Sequence, residues 1–290
     1  MIHPLRTLSC SVAVLVLFVS SGVVTSSATD LTPINVQLKW FHQFQFAGYY
    51  AAKEQGYYLD AGLDVTLTPA TGTTVTIDEL TSGRADYSVG YSGSLLNRAN
   101  GDPIVALAAF FQYSPYALLL RADSGIEHIR DLAAKRIMMP DPPDSSELLA
   151  MLQANGVSPN EIHQLKHTHK LESLISGQVD AISAYITNEP FRLEESEIEP
   201  RVFHPRNSGI DFYGDILITT EQRVNSHPKQ VEQFIQATIM GWEYAVKHPY
   251  EIIQLIFQKY NQQENGGLGK SFDALAFEAE EVINMVSPAL

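Results

Sequence analysis

Cysteine is almost missing: one residue, Cys10, in a chain of 290. It falls inside an N-terminal stretch that reads as a leader. Met1 to Arg6 carries one arginine and no acid, Leu8 to Val19 is apolar, and Ser26-Ser27-Ala28 supplies small residues before a cut, which is the pattern of a signal peptide over residues 1–28. Thr7 stands where a lipid-attachment box would place leucine. The mature chain therefore has no thiol, which excludes disulfides, a cysteine nucleophile and a thiolate metal site. Positive charge is also scarce. Nineteen Lys and Arg face 33 Asp and Glu, for a formal charge of −14, and such a surface repels phosphate backbones and anionic headgroups. Nucleic acid is excluded as a partner, and a neutral or cationic small ligand fits better. Long hydrophobic runs are missing too. Beyond the leader nothing approaches 18 consecutive apolar residues, and there is no repeat and no low-complexity tract.

What is present is a core. A hydrophobic fraction of 45% with 10% aromatics suffices for one large or two modest globular units. Periodicity predicts strands over Ile34–Trp40, Asp64–Pro69, Ala85–Val89 and Ile104–Phe111, alternating with helices over Gly48–Gln55, Thr74–Ser82 and Ser92–Asn100. A second set follows Ser114-Pro115. Strands are expected over Tyr116–Arg121, Arg136–Met139 and Ala181–Tyr185, with helices over Ile129–Ala133, Ser145–Asn155 and Leu171–Ser176. Pro200 to Tyr213, polar and broken by Pro205 and Gly209, reads as a return crossing. A strand over Ile216–Thr219 and helices over Pro228–Lys247, Pro249–Tyr260 and Phe272–Met285 complete the chain. Such alternation predicts α/β architecture with largely parallel sheets. The expected lobes are 30–114 with 214–290, and 115–213, and clefts between lobes bind small molecules.

The segment from Leu38-Lys39-Trp40-Phe41-His42-Gln43-Phe44-Gln45-Phe46-Ala47-Gly48-Tyr49-Tyr50 to Gly56-Tyr57-Tyr58 resembles the opening of the THI5/NMT1-like family of periplasmic solute-binding proteins. Further similarity lies in Leu80-Thr81-Ser82-Gly83-Arg84-Ala85-Asp86, Val89-Gly90-Tyr91-Ser92, Ala184-Tyr185-Ile186-Thr187-Asn188-Glu189-Pro190 and Gly209-Ile210-Asp211-Phe212-Tyr213-Gly214-Asp215. The resemblance implies a two-lobed type II periplasmic binding fold and no cofactor. It also implies a thiamin-precursor pyrimidine as ligand, of the hydroxymethylpyrimidine or formylaminopyrimidine type, delivered to an ABC permease. Phe41-His42-Gln43-Phe44-Gln45 departs from the pyrimidine binders and is most similar to the branch that serves as extracytoplasmic heads of sensor kinases and diguanylate cyclases, so a membrane sensor is the alternative partner. The sequence stops at Ser287-Pro288-Ala289-Leu290 without a kinase-like region. A sensor role would then act in trans, or the chain is a fragment. Fungal members are pyrimidine synthases that use pyridoxal phosphate and a cysteine-rich iron motif. A chain without cysteine in its mature part does not fit that enzyme, although Lys39 or Lys53 would be its Schiff-base candidates.

Candidate ligand residues lie at expected strand ends, where open α/β sheets hold ligands. Trp40 would stack on a heteroaromatic ring or pack under the next loop, and the resemblance favours the ligand. His42 is a hydrogen-bonding loop residue at the same edge. Tyr91 and Ser92 sit between a strand and a helix, where they would hold a ligand's polar group or cap the helix. Asp144-Ser145-Ser146 is expected chiefly to cap the next helix. Tyr185, Asn188 and Glu189 bring a ring, an amide and a carboxylate to the second lobe, and a carboxylate bonds strongly to an amino group. Tyr213 and Asp215, with Asp211, line the cleft or brace the hinge. His163, His167 and His169 are read as solvated rather than as a metal site, and Phe234–Tyr244 as core.

Overall fold

The computed structural model describes residues 31–71, 73–168 and 170–287. The leader read over residues 1–28 and His169 lie outside the described residues. Ten strands, β1 Thr32–Gln37, β2 Leu63–Thr68, β3 Tyr87–Gly90, β4 Ile104–Phe111, β5 Tyr116–Arg121, β6 Arg136–Met139, β7 His163–Lys166, β8 Ala181–Tyr185, β9 Pro200–Phe203 and β10 Gly214–Thr220, form two five-stranded sheets. Their orders are β2-β1-β3-β10-β4 and β7-β6-β8-β5-β9. Along β2, Leu63, Val65 and Leu67 are buried while Asp64 and Thr66 are exposed, the alternation of a strand with one covered face. β5 is buried through Tyr116–Leu120, because the second sheet packs apolar residues on both faces: Leu118, Ile137 and Leu148 on one side, Leu119, Met138 and Ile182 on the other.

The expectation of largely parallel sheets needs correction. β1 runs parallel to β2 and β3, and β6 parallel to β7 and β8, but β10 pairs antiparallel with β3 and β4, and β5 pairs antiparallel with β8 and β9. β5 is the strand on which the chain enters the second sheet, and β10 is the strand on which it returns to the first. The Pro200–Tyr213 crossing also contains a strand, β9, in register with β5 through Val202↔Leu119. Its proline stands at the first position of an edge strand, where no ladder donor is needed.

The first sheet is covered by aromatic-rich helices. Tyr87 stacks on Phe234 at 3.9 Å and Phe234 on Tyr58 at 5.2 Å. The Pro228–Lys247 helix turns Phe234, Ala237, Thr238, Gly241, Trp242 and Ala245 inward. Gly241 permits its close crossing of the Ala47–Glu54 helix, since a Cβ there would lie 2.1 Å from the Gly48 carbonyl oxygen. From the C-terminal helix, Phe272–Val286, the fully buried Glu278 accepts the backbone N–H groups of Phe44 and Gln45 at 3.2 and 3.0 Å and the Lys270 ammonium at 2.9 Å. That carboxylate fixes the short loop after β1, and the loop carries site residues.

Candidate functional site

Two residues beyond β1, Lys39 runs into a cluster of polar groups where the carboxyl ends of β1 and β3 meet the end of β8. Its ammonium pairs with Asp215 Oδ1 at 2.5 Å, donates to the Tyr185 hydroxyl at 2.5 Å and lies 3.5 Å from the Gly90 carbonyl oxygen. Three acceptors match the three protons of an ammonium. The nitrogen also stands over the Tyr91 ring at 4.3 Å and the Tyr185 ring at 4.9 Å, within cation–π range. Both members of the ion pair are nearly sealed from water, with side chains 1% and 2% exposed. Asp215 holds a left-handed φ of 44°, a conformation Asp tolerates better than most residues. Its carboxylate also accepts the Gln45 amide, at 3.2 Å on Oδ1 and 2.9 Å on Oδ2. Burial pushes the Asp215 carboxyl up and the Lys39 ammonium pulls it down, with burial the larger effect.

The facing wall belongs to the second sheet. Tyr185 meets Tyr116 edge-on at 5.7 Å. Behind them Glu147, in the Ser146–Ala154 helix, accepts the Ser114 hydroxyl on Oε1 at 2.9 Å. Burial raises its carboxyl to about 7, opposed by Ser114, the Lys39 charge and the Ser92 hydroxyl. Its Oε2, and the hydroxyl of Ser145 two positions earlier, are buried without a hydrogen-bond partner. The two walls touch: a Cβ on Gly93 would come within 2.6 Å of the Pro143 carbonyl oxygen.

Of the residues picked from sequence, Tyr91, Tyr185 and Asp215 gather directly on Lys39, and Ser92 stands beside Glu147. Trp40 is half-buried against the core of the first sheet, edge-on to Phe41 at 5.5 Å, and its carbonyl accepts Ala70 N–H at 3.0 Å. His42 turns into that core, where Nδ1 meets the Tyr50 hydroxyl at 2.9 Å and the ring packs 5.2 Å from Tyr260; burial lowers it to about 4. Glu189 accepts the backbone N–H of Tyr185 at 2.8 Å and the side-chain amide of buried Asn188, so it braces the turn that carries Tyr185. Tyr213 is 56% exposed, and Asp211 pairs with Arg206 on the surface at 3.3 Å. His163 is exposed, and His167 Nε2 lies 3.2 Å from the Ser183 carbonyl oxygen. Capping by Ser92 or Ser145 does not occur. The helices begin at Ser94 and Ser146 with neither side chain accepting a cap bond; Ser92 stands toward Glu147 instead, and the Ser145 hydroxyl is buried without a partner. Sequence reasoning missed Lys39, Gln45 and Glu147 as site groups. The signals were a lone lysine ending an apolar strand in an acid-rich chain, and a carboxylate directly after the Asp144-Ser145-Ser146 turn.

Comparison with known proteins follows the same lines. The model of a family described as NMT1/THI5 like matches residues 43–252. The formylaminopyrimidine-binding protein of Halalkalibacterium halodurans is 26% identical over 261 residues, covering 88% of this chain and 78% of that protein. The riboflavin-binding protein RibY of Chloroflexus aurantiacus is 24% identical over 245 residues, covering 82% and 69%. Among solved structures, the alkanesulfonate-binding protein SsuA of Xanthomonas axonopodis pv. citri, bound to MOPS, superposes with a TM-score of 0.66 at 14% identity, covering 87% and 84%. The shared fold is that of two-lobed periplasmic binding proteins. Among the described residues no helix is long and apolar enough to cross a membrane.

Proposed function

The chain belongs to the NMT1/THI5-like family, and we propose that it is an exported, non-catalytic receptor that closes two lobes around a small nitrogen heterocycle of the thiamin-precursor pyrimidine type and delivers it to an ABC permease. The lobes are taken as residues 30–114 with 214–290, and residues 115–213. The leader read over residues 1–28 would direct export. The observation that carries the reading is the junction at Lys39, where one buried ammonium from the first sheet bonds a tyrosine of the second among aromatic rings. A site assembled from both lobes is complete only when they close, so a ligand that touches both walls selects the closed state. Tyr91, Ser92, Tyr185 and Asp215 supply its rings and polar groups directly. Trp40 and Asn188 with Glu189 support its two edges, His42 stiffens the loop after Trp40, and Tyr213 stands at the rim. A curated relative named for binding formylaminopyrimidine supports the pyrimidine class.

The test is thermal unfolding of the mature protein with hydroxymethylpyrimidine, formylaminopyrimidine, riboflavin and ethanesulfonate. A ligand at 100 times its dissociation constant adds about 2.7 kcal/mol to the native state. A shift with a pyrimidine that disappears in Tyr91→Ala is the expected result. A shift with ethanesulfonate alone overturns the pyrimidine class, and a pyrimidine shift unchanged in Tyr91→Ala moves the site away from this junction.

A further inference from the structure

Resting on the reading of the Lys39 junction as a ligand site, we propose that Glu147 is its specificity-determining residue on the second lobe, receiving an N–H of the ligand on Oε2. The geometry is that of a half-used carboxyl group. Glu147 is 4% exposed and its Oε1 is satisfied by Ser114; the Ser92 hydroxyl stands close enough to favour the ionised carboxyl but completes no well-formed hydrogen bond, so Oε2 is left without one. Native proteins pair nearly all buried polar atoms. The neighbouring orphan is the Ser145 hydroxyl, on a residue with no exposed surface. Of the other unpaired atoms, those of Tyr49, Tyr87 and Trp242 are the tips of core aromatics, and Gln43 Oε1 and Thr187 Oγ1 belong to side chains that carry no charge, whereas the ionisable Glu147 acts electrostatically on Tyr116 and Tyr185, the rings of the cleft wall.

The groups facing Glu147 decide what it can take. They are Lys39 from the end of β1, Ser92 after β3, Ser114 before β5, and Tyr116 and Tyr185 from β5 and β8; Asp144, in the turn preceding its own helix, acts on the same Tyr116 ring. The Lys39 ammonium is already shared among Asp215, Tyr185 and Gly90. Glu147 therefore stays poorly compensated, its carboxyl raised to about 7 by burial. An N–H donor stabilises its ionised form with a charge-assisted bond. A sulfonate or carboxylate would set oxygen lone pairs against it. The ligand class is thus an uncharged planar heterocycle with an amino group or a ring N–H.

The experiment is calorimetric titration of hydroxymethylpyrimidine into the wild type, Glu147→Gln and the exposed-site control Glu195→Gln at pH 8.5 and 6.0. The wild type is expected to bind about tenfold more weakly at pH 6.0, as the acid takes up its proton. Glu147→Gln keeps an acceptor for Ser114 and is expected to bind about tenfold more weakly at pH 8.5. Its affinity should change with pH only by the ligand's own titration, which is common to all three proteins. Equal affinity and an equal pH profile in wild type and Glu147→Gln would remove Glu147 while leaving the receptor reading intact. Absence of binding by hydroxymethylpyrimidine, formylaminopyrimidine and riboflavin to the wild type would overturn both.

Discussion

Lys39→Met would show how much the buried ammonium contributes to holding the two sheets together. The substitution keeps the length of the side chain and its contact with the Tyr91 and Tyr185 rings, but leaves Asp215, 1% exposed, facing only the Gln45 amide. An uncompensated buried carboxylate escapes by taking up a proton, which limits the cost. From the ordinary Asp value of 3.8 to pH 7 is about 3.2 pH units, at about 1.36 kcal/mol each, so the loss reaches about 4 kcal/mol at pH 7. At pH 5 the same reasoning allows about 2 kcal/mol. The sign follows from linkage: in the variant the folded Asp215 pKa lies above its unfolded value, so stability is greatest below pH 4 and declines as pH rises. Guanidinium unfolding at pH 5, 6 and 7, followed by tryptophan fluorescence, measures it, because Trp242 is buried in the core of the first sheet. Lys39→Met with Asp215→Asn should recover most of the loss, as removal of a whole buried pair is often nearly neutral. A loss that is independent of pH, or below about 1 kcal/mol at pH 7, would refute the reasoning and mean that water reaches Asp215 in solution.

Further predictions concern three residues around the junction, His42, Glu147 and Gly93. His42, neutral in the core and lowered to about 4, has a folded pKa below its unfolded 6.5; its contribution is intact above pH 6.5 and is lost between pH 6.5 and 4. His42→Asn should therefore flatten the fall in stability over that window, while Glu147, raised to about 7, acts with the opposite sign and loses stability as pH rises from 4.5 to 7; acid titration of unfolding free energy on the two single variants separates them. Gly93→Ala should lower the melting temperature of the ligand-free protein, because the added methyl would lie 2.6 Å from the Pro143 carbonyl oxygen even though Gly93 itself is helical at φ −57°, and should weaken binding of a pyrimidine at least tenfold, because the two loops could no longer meet at this distance. Unchanged affinity would mean that the two loops do not approach in the bound state.

The legible part of this fold is the part governed by local periodicity. β5, β6 and β8 occupy the expected residues because their apolar runs are buried on both faces or nearly so, β4 does so as an apolar run that is mostly half-buried with Ala106 exposed, and Phe234 and Trp242 face inward at helical spacing. β7 and β9 gave no such signal. β7 is exposed at every position and β9 is only half-buried, so what makes them strands is the pairing of backbone groups with β6 and β5, which leaves no mark on side-chain pattern. The antiparallel direction of β5 and β10 was hidden for a related reason, since direction depends on which sheet the chain has just left.

The site divides in the same way. Tyr91, Tyr185 and Asp215 could be picked out because each sits at a strand end in a motif with a family likeness. His42 shares the first motif with Lys39, but the loop turns its ring toward Tyr50 and sends the lysine across to the other sheet. Tyr185, the lysine's acceptor, lies 146 positions along the chain. A lysine at the end of an apolar strand reads as a solvated terminus until such an acceptor and a buried carboxylate are known to face it, since burying the charge alone would cost several kcal/mol. The ammonium is tolerable only because three distant acceptors converge on it. If ligand binding draws Tyr185 toward the ligand, Lys39 loses one acceptor and keeps Asp215, so the ion pair within the first sheet should persist in both open and closed states while the bond to the second sheet changes. On the receptor reading proposed above, that asymmetry would make Lys39 and Asp215 the fixed floor of the site and Tyr185 its moving wall.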